Sequence, residues 1–158
     1  HYAMDKAQER SFCPIEHGLG FVGEAWSMLI LRNLASGATR FEQLRSALGI
    51  APNILTQRLR ALVEAGLVEK RRYSERPPRD EYVLSVAGRD FLPVLYVIGE
   101  WARRHHGEAD MARLVDDETG RPVEAVVVDR ATGHPLSGLK LRVVQAGDPS
   151  LGGASSKQ

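Results

Sequence analysis

Residues 39–66 read TRFEQLRSALGIAPNILTQRLRALVEAG, and this stretch decides the fold class. Its first four residues have the form of a capping box, in which the Thr39 hydroxyl accepts from the Glu42 N–H, and predict a helix over about 40–48. A Gly-Ile-Ala-Pro break follows, with proline at the first position of a second helix over about 52–65. Two short helices joined by a turn of about four residues form a helix-turn-helix.

The hydrophobic period changes after Gly66. Residues 67–73 and 80–85 predict two strands, separated by the turn-rich residues 74–79. A β-hairpin that follows a helix-turn-helix directly is a wing. The sequence therefore predicts a mainly α-helical α+β domain of the winged helix-turn-helix type.

Longer helices are predicted on both sides of this unit. Apolar residues recur every three or four positions over 14–36 and predict a first long helix. Ser85 can cap a last helix over 86–106. In this last helix Pro93 is expected to produce a kink or to tighten the first turns. The apolar residues of the last helix occupy more faces than one core can cover, which predicts a second copy of the chain against it. The residues predicted for this homodimer contact are Leu92, Leu95, Ile98 and Trp101.

The segment after Gly107 repeats the motif Thr-Gly-x-Pro at 119–122 and 132–135. The β-rich runs 123–129 and 139–144 predict a small antiparallel hairpin or three-stranded unit. The predicted organisation is a tag remnant and N-terminal arm over 1–12, the winged helix-turn-helix domain over 13–106, a small β-rich extension over 107–145 and a flexible tail over 146–158.

Composition excludes several classes of protein. With 43% hydrophobic and 26% charged residues the chain is globular, and no stretch has the roughly 20 unbroken apolar residues of a membrane span. We expect no signal peptide, and a single cysteine cannot form an internal disulfide or a cysteine-based metal cage. We expect a cytoplasmic protein without cofactor or metal. No catalytic motif is present, and His105-His106 at a helix end is expected to offset the helix dipole, so we do not expect an enzyme.

The charge is distributed unevenly along the chain. Residues 40–79 carry nine basic and four acidic side chains, whereas residues 107–137 carry three basic and seven acidic ones. A basic middle beside an acidic appendage is typical of a nucleic-acid binder with a separate module, although random clustering on a solvated surface gives the same pattern.

The helix over 52–65 has one buried stripe and one polar face. Asparagine and glutamine can pair with adenine and arginine with guanine in the major groove of double-stranded DNA, whereas the simpler alternative is a solvated face. The candidate residues on this helix are Asn53, Thr56, Gln57, Arg58 and Arg60. The candidates for phosphate contacts around it and on the wing are Thr39, Arg40, Lys70, Arg71, Arg76 and Arg79.

Several motifs in order resemble the HxlR family of bacterial winged-helix regulators. They are Cys13-Pro14-Ile15-Glu16, Trp26 to Arg32, Arg40 to Arg45, Leu55 to Arg60, Gly66-Leu67-Val68, Pro78 to Tyr82 and Gly99-Glu100-Trp101. The resemblance implies a homodimeric transcription factor, expected to be a repressor, on a two-fold operator. It also implies that the extension is a metal-free version of a zinc-ribbon-like module, because His134 alone cannot hold zinc.

The signal and the partner remain open at this point. Cys13 precedes Pro14 at a helix entry, where backbone N–H groups favour a thiolate, and some relatives sense oxidants or electrophiles through a cysteine here. The alternative is that Cys13 packs as a small apolar residue. A small-molecule effector in the dimer cleft, with Trp26, Tyr96 and Trp101 as lining residues, is a third possibility. A winged helix used only for protein interaction, without operator binding, is the alternative function.

Overall fold

A computed structural model describes residues 13–108 and 110–153 of the chain. Its helices are α1 (Pro14–Val22), α2 (Ala25–Ala35), α3 (Phe41–Leu48), α4 (Pro52–Glu64) and α5 (Val86–His106), its strands are β1 (Val68–Glu75) and β2 (Pro78–Leu84), and two short 3₁₀ helices cover Leu136–Gly138 and Pro149–Gly153. Within the described residues, contacts group 21–125 into one unit and 13–20 with 126–153 into another. The predicted winged helix-turn-helix fold is confirmed.

The buried hydrophobic core of the winged helix-turn-helix comes from the segments before α5. Ile30, Leu31, Leu44 and Leu55 have no exposed surface, and the other buried hydrophobic residues are Val22, Leu34, Ile50, Leu59, Leu62, Val68 and Leu84. Leu55, Leu59 and Leu62 follow one another at helical spacing, so they form the predicted buried stripe of α4. The opposite face of α4 is thereby directed to solvent.

The single helix predicted over 14–36 is instead two helices, because the chain leaves helical geometry at Gly23 and Glu24. Glu24 has extended backbone angles (φ −101°, ψ 136°) and precedes the first residue of α2. Glycine is a weak helix former, and apolar periodicity continued across the break and concealed it. The break places the Glu24 side chain beside α4 rather than on the surface of one long helix.

The wing is longer than predicted, because β1 and β2 pair antiparallel from Val68↔Leu84 to Glu75↔Pro78. The register shifts between Arg72 and Ser74, and this irregularity allows pairing to continue into the segment predicted as a turn. Only Arg76 and Pro77, joined by a cis peptide bond, remain at the tip.

Ser85 caps α5 as predicted. Its hydroxyl oxygen accepts from the Gly88 N–H at 3.1 Å and its O–H donates to the Gly66 carbonyl at 2.6 Å, so one side chain joins α5 to the end of α4. Gly88 is buried against the start of β1, where a Cβ atom would lie 2.1 Å from the Leu67 carbonyl oxygen. The helix continues through Pro93 to His106.

The strands predicted over 123–129 and 139–144 do not form in the described part of the extension. The two Thr-Gly-x-Pro segments close instead as two loops with the same hydrogen bonds. In the first, the Gly120 N–H donates to the Asp116 carbonyl at 2.7 Å, and in the second Gly133 donates to Asp129 at 2.7 Å. Each loop is closed by one isolated β-bridge, because the carboxylate and glycine turn bends the chain back before a strand can extend.

Candidate nucleic-acid interface

The exposed face of α4 is polar along its whole length. Asn53, Thr56, Gln57 and Arg60 are all exposed, opposite the buried leucine stripe. The Thr56 hydroxyl donates to the Pro52 carbonyl at 3.0 Å, so its hydrogen is used within the helix and its oxygen can only accept. This face offers amide and guanidinium groups, which are the groups that pair with base edges in the major groove.

Arg58, also predicted for this surface, lies apart from the other four. Its side chain is 28% exposed and its guanidinium forms an ion pair with Glu24 in the break between α1 and α2. The Arg58 Nε is buried and has no hydrogen-bond partner within the described residues. We therefore leave Arg58 out of the base-reading surface.

The helix-turn-helix begins with a different cap from the predicted one. The Gln43 side chain, rather than that of Glu42, turns back, and its Oε1 accepts from the N–H groups of Thr39 and Arg40, both at 3.1 Å. Helix α3 thus begins at Phe41, one residue later than predicted. Glu42 instead accepts from Arg45 at 2.9 Å, and this hydrogen bond raises the pKa of Arg45 above its ordinary value.

The wing is held against the start of α3. The Tyr82 N–H donates to the Thr39 carbonyl at 2.7 Å, and the Arg40 guanidinium lies over the Tyr73 ring, 4.6 Å from its centre. A cleft of about 450 Å³ opens between these elements. It is lined by Arg40, Phe41, Glu42, Gln43, Tyr73, Arg79 and Asp80.

Three of the wing's five basic side chains are paired with carboxylates. Arg72 donates to Asp80 at 2.9 Å and Lys70 lies 3.7 Å from the same carboxylate, while Arg71 pairs with Glu69 at 2.9 Å. The hydrogen bond from Arg72, helped by the positive charges of Arg72 and Lys70, holds the pKa of Asp80 below its ordinary value, although desolvation acts in the opposite direction. Lys70 and Arg71 are therefore less available to phosphate than the sequence suggested.

Arg76 at the tip and Arg79 on β2 differ from these residues. Both are exposed, and neither forms an ion pair with any residue in the described ranges. Arg40 and Arg60 are likewise exposed and without an ion pair there. Among the nine basic side chains of residues 40–79, these four are the ones without an ion pair to a described residue.

The residues predicted for the dimer contact fall into two groups. Leu92 and Leu95 are half-buried and pack against the domain core, whereas Ile98 and Trp101 are 46% and 57% exposed. Val94 is exposed as well. The outer part of α5 therefore carries apolar surface that its own domain does not cover.

The residues predicted for a ligand cleft lie on two different helices. Trp26 packs against the core from α2, while Tyr96 and Trp101 are exposed on α5. Their spacing of five residues directs these two side chains about 140° apart around the helix.

Cys13 is half-buried, and its carbonyl accepts from the His17 N–H at 3.0 Å in the first turn of α1. Among the described residues, no three histidine, cysteine or carboxylate side chains group as a metal site, and no helix is long and apolar enough to cross a membrane.

Sequence reasoning missed Gln43, Tyr73 and Asp80, which shape this surface without being exposed basic residues. Gln43 stands three residues after the N-cap Arg40, which is the capping-box spacing read one residue further along. Asp80 faces Arg72 in the strand register, and the pairing of opposite charges across a hairpin could have indicated it. Tyr73 lies at the register shift, which the sequence does not mark.

Comparisons with known proteins agree with this architecture. The profile of HxlR-like helix-turn-helix proteins matches residues 21–110. A protein of Mycobacterium tuberculosis (strain H37Rv), named as an uncharacterised HTH-type transcriptional regulator, is 35% identical over 147 residues, which cover 84% of this chain and 91% of the relative. The crystal structure of PA1607, a protein proposed to be a transcription factor, is 36% identical with a TM-score of 0.78, over 87% of this chain and 98% of that one.

A second similar structure is that of a regulator whose name states its signal. The redox regulator HypR in its oxidised form is 31% identical with a TM-score of 0.54, over 59% of this chain and 97% of that one. A helix-turn-helix followed by a wing, with a polar exposed second helix, defines the winged helix-turn-helix class of DNA-binding proteins. Within that class, the chain belongs to the HxlR family of helix-turn-helix transcription regulators.

Proposed function

We propose that this protein is a sequence-specific transcriptional repressor that binds a two-fold DNA operator as a homodimer. In this proposal α4 enters the major groove, and Arg76 and Arg79 reach the flanking backbone or minor groove. Thr39 and Arg40 contact a phosphate at the start of α3. Lys70 and Arg71 add long-range attraction.

The observation that carries the proposal is the polar face of α4 beside the unpaired arginines. Asn53, Gln57 and Arg60 occupy one exposed face, and a helix in the major groove reads bases with such a face. Ion pairs engage five of the nine basic side chains of residues 40–79, which are Arg45, Arg58, Lys70, Arg71 and Arg72. The helix-turn-helix and wing thus keep Arg40, Arg60, Arg76 and Arg79 exposed and without an ion pair to any described residue.

The dimer part of the proposal rests on exposed apolar side chains in helices. Ile98 and Trp101 on α5 remain about half exposed, and Ile15 and Leu19 on α1 are 68% and 56% exposed. Clusters of large apolar side chains at the surface mark interaction sites, and a two-fold dimer covers the same patch on both copies. A two-fold operator follows from such a dimer.

We propose an oxidant or electrophile acting at Cys13 as the signal, with a small ligand near Trp26, Tyr96 and Trp101 as the alternative. The redox function of HypR, a structurally similar regulator, supports the first. With one cysteine per chain, oxidation proceeds to an intersubunit or mixed disulfide or an adduct. Diamide or a quinone should release operator from the parent but not from Cys13→Ser. An identical response of both proteins would leave a bound ligand as the signal.

Binding to the promoter DNA of its own gene tests the function. Fluorescence anisotropy at several salt concentrations should give specific binding that weakens steeply as salt rises, because each phosphate contact releases a counterion. Gln57→Ala and Arg60→Ala should weaken binding to the promoter. Arg79→Ala should weaken binding to all sequences, and it should lower the salt slope, which is the steepness of log affinity against log salt concentration, by about 1.

Arg130→Ala provides the matched control, because it removes the same charge from the extension and should leave both affinities nearly unchanged. Affinity that does not depend on salt or on sequence would contradict the proposal, and would favour a winged helix used for protein interaction only. Promoter binding with increased transcription in a purified system would retain DNA recognition and reject the repressor role.

A further inference from the structure

Arg58 lies on the recognition helix but binds another part of its own domain. The guanidinium pairs with the Glu24 carboxylate, which belongs to the residue preceding α2. This is the only ion pair that joins α4 to another element within the described ranges. The Arg58 side chain is 28% exposed and that of Glu24 is 56% exposed, so the pair is partly shielded from solvent.

The buried face and the C-terminal end of α4 are held by contacts other than this ion pair. Leu55, Leu59 and Leu62 bury the inner face, and the Ser85 hydroxyl donates to the Gly66 carbonyl just beyond the helix. The N-cap residue Ala51 offers no side-chain hydrogen bond, and Thr56 bonds only to its own helix. The Glu24–Arg58 ion pair adds a contact on the flank of the helix, and its energy depends on the distance between the two charges.

We infer that the Glu24–Arg58 ion pair is a positioning contact that fixes the rotation of α4, and thereby the aim of Asn53, Gln57 and Arg60 at the bases. Glu24 and Arg58 act here through the other side chains and do not contact DNA. The inference rests on the proposed DNA-binding function of α4. It concerns how the specificity of that surface is set.

A direct phosphate contact by Arg58 makes opposite predictions. If Arg58 bound phosphate, Glu24→Gln would strengthen binding to all DNA, because it removes a negative charge and releases an arginine. If the pair positions α4, Glu24→Gln weakens binding to the promoter sequence even though the protein becomes more positive. Whether Glu24→Gln strengthens or weakens binding to the promoter therefore separates a phosphate contact by Arg58 from a positioning contact.

The test compares Glu24→Gln, Arg58→Gln, the double variant and Arg58→Lys with the parent. Anisotropy titrations use the promoter duplex and a shuffled duplex of equal length, and the ratio of the two affinities is the readout. Each glutamine variant should lower this ratio about tenfold, within the range of coupling found for contacting residues, and the double variant should be no worse than either. Arg58→Lys keeps the ion pair and should recover most of the ratio, and the salt slope should not change.

Glu124→Gln is the matched control for affinity, because it removes the same negative charge from an exposed residue of the extension, outside the winged helix-turn-helix. It should leave the affinity ratio within about twofold of the parent, as expected for a surface substitution. Glu42→Gln is the control for the structural measurement below, because it breaks an ion pair inside α3 that does not involve α4. Unchanged ratios in Glu24→Gln and Arg58→Gln, or tighter binding by Glu24→Gln to both duplexes, would overturn the inference.

A measurement without DNA separates this inference from the proposed function. Amide hydrogen exchange of α4 should be faster in Glu24→Gln and Arg58→Gln than in the parent and in Glu42→Gln. Absence of promoter preference in the parent would reject the proposed function, while faster exchange would still support the positioning contact. Unchanged exchange in α4 would contradict the positioning contact whatever the DNA result.

Discussion

Asp80 controls how much of the wing's positive charge is free. Its carboxylate accepts from Arg72 at 2.9 Å and lies 3.7 Å from Lys70, so a single acidic residue engages two basic ones. Such pairs at a surface add little to stability. Their larger effect is on the electrostatic field that a polyanion would meet.

Asp80→Asn should therefore strengthen binding to DNA of any sequence. The variant releases Arg72 and Lys70 toward phosphates, and the salt slope should steepen by about 1 to 2 because each new phosphate contact contributes about 0.9. Salt titrations with a shuffled duplex measure this, with Glu69→Gln as a comparison that releases Arg71 alone. A salt slope equal to that of the parent would show that these basic residues do not face DNA.

Gly88 is the residue at which a single methyl group should matter most for folding. A Cβ at this position would lie 2.1 Å from the Leu67 carbonyl oxygen and 3.2 Å from a methyl group of Leu84, and the Leu67 backbone leaves little room to relax. Gly88→Ala should lower the free energy of unfolding by about 3 kcal/mol, as expected for severe overpacking. Chemical denaturation measures the loss.

Gly99→Ala is the control for that experiment, because Gly99 lies on the same helix and a Cβ atom added there would have nothing within 4 Å. There, alanine should stabilise by about 0.5 to 1 kcal/mol through helix propensity. Equal effects at both positions would mean that α5 does not approach β1 as closely as described.

At the scale of elements, the N-terminus of α4 lacks a side-chain cap. Ala51 has the extended backbone of an N-cap (φ −62°, ψ 138°) but no oxygen to accept from the first turn. Ala51→Ser should raise the free energy of unfolding by about 1 kcal/mol, and Ala51→Val should not. Thermal unfolding at matched concentration measures both, and a serine variant no more stable than the parent would contradict the assigned start of α4.

The order of the elements follows from the sequence, while their ends depend on contacts that are distant in the chain. Three features could be predicted because their sequence signals are local. They are the leucine spacing of α4, Pro52 at its start and the Ser85 cap of α5. The break at Gly23 was hidden by continuous apolar periodicity. The pairing of Glu24 with Arg58 joins residues 34 positions apart, and no sequence spacing marks such a contact.

The extension shows the same division between local and distant effects. The Thr-Gly-x-Pro repeat at 119–122 and 132–135 predicted two similar turns, and both form with the same hydrogen bonds to Asp116 and Asp129. The valine-rich run between them predicted strands by propensity alone. Strand propensity needs a partner strand to take effect, and within the described residues each loop provides a single bridge.

At the scale of the whole molecule, the winged helix should fold without the extension. All buried hydrophobic residues in the described ranges lie between Val22 and Leu84, and Leu92 and Leu95 of α5 pack against them. A chain ending at Gly107 should keep its thermal midpoint within a few degrees and still bind DNA. A chain ending at Val86 should be insoluble or lack a cooperative transition, and a soluble, cooperatively folding product would contradict the role given to α5.

Base reading by the exposed face of α4 is tested most directly by a base-by-base comparison of the parent with Arg60→Ala. Affinities are measured for a set of operators that each carry one substituted base pair. The parent should lose about 1 to 3 kcal/mol at each contacted position, and Arg60→Ala should lose this discrimination at one G·C pair in each half-site while keeping it elsewhere. A uniform loss of affinity across all operators, with every base preference unchanged, would contradict base reading by α4.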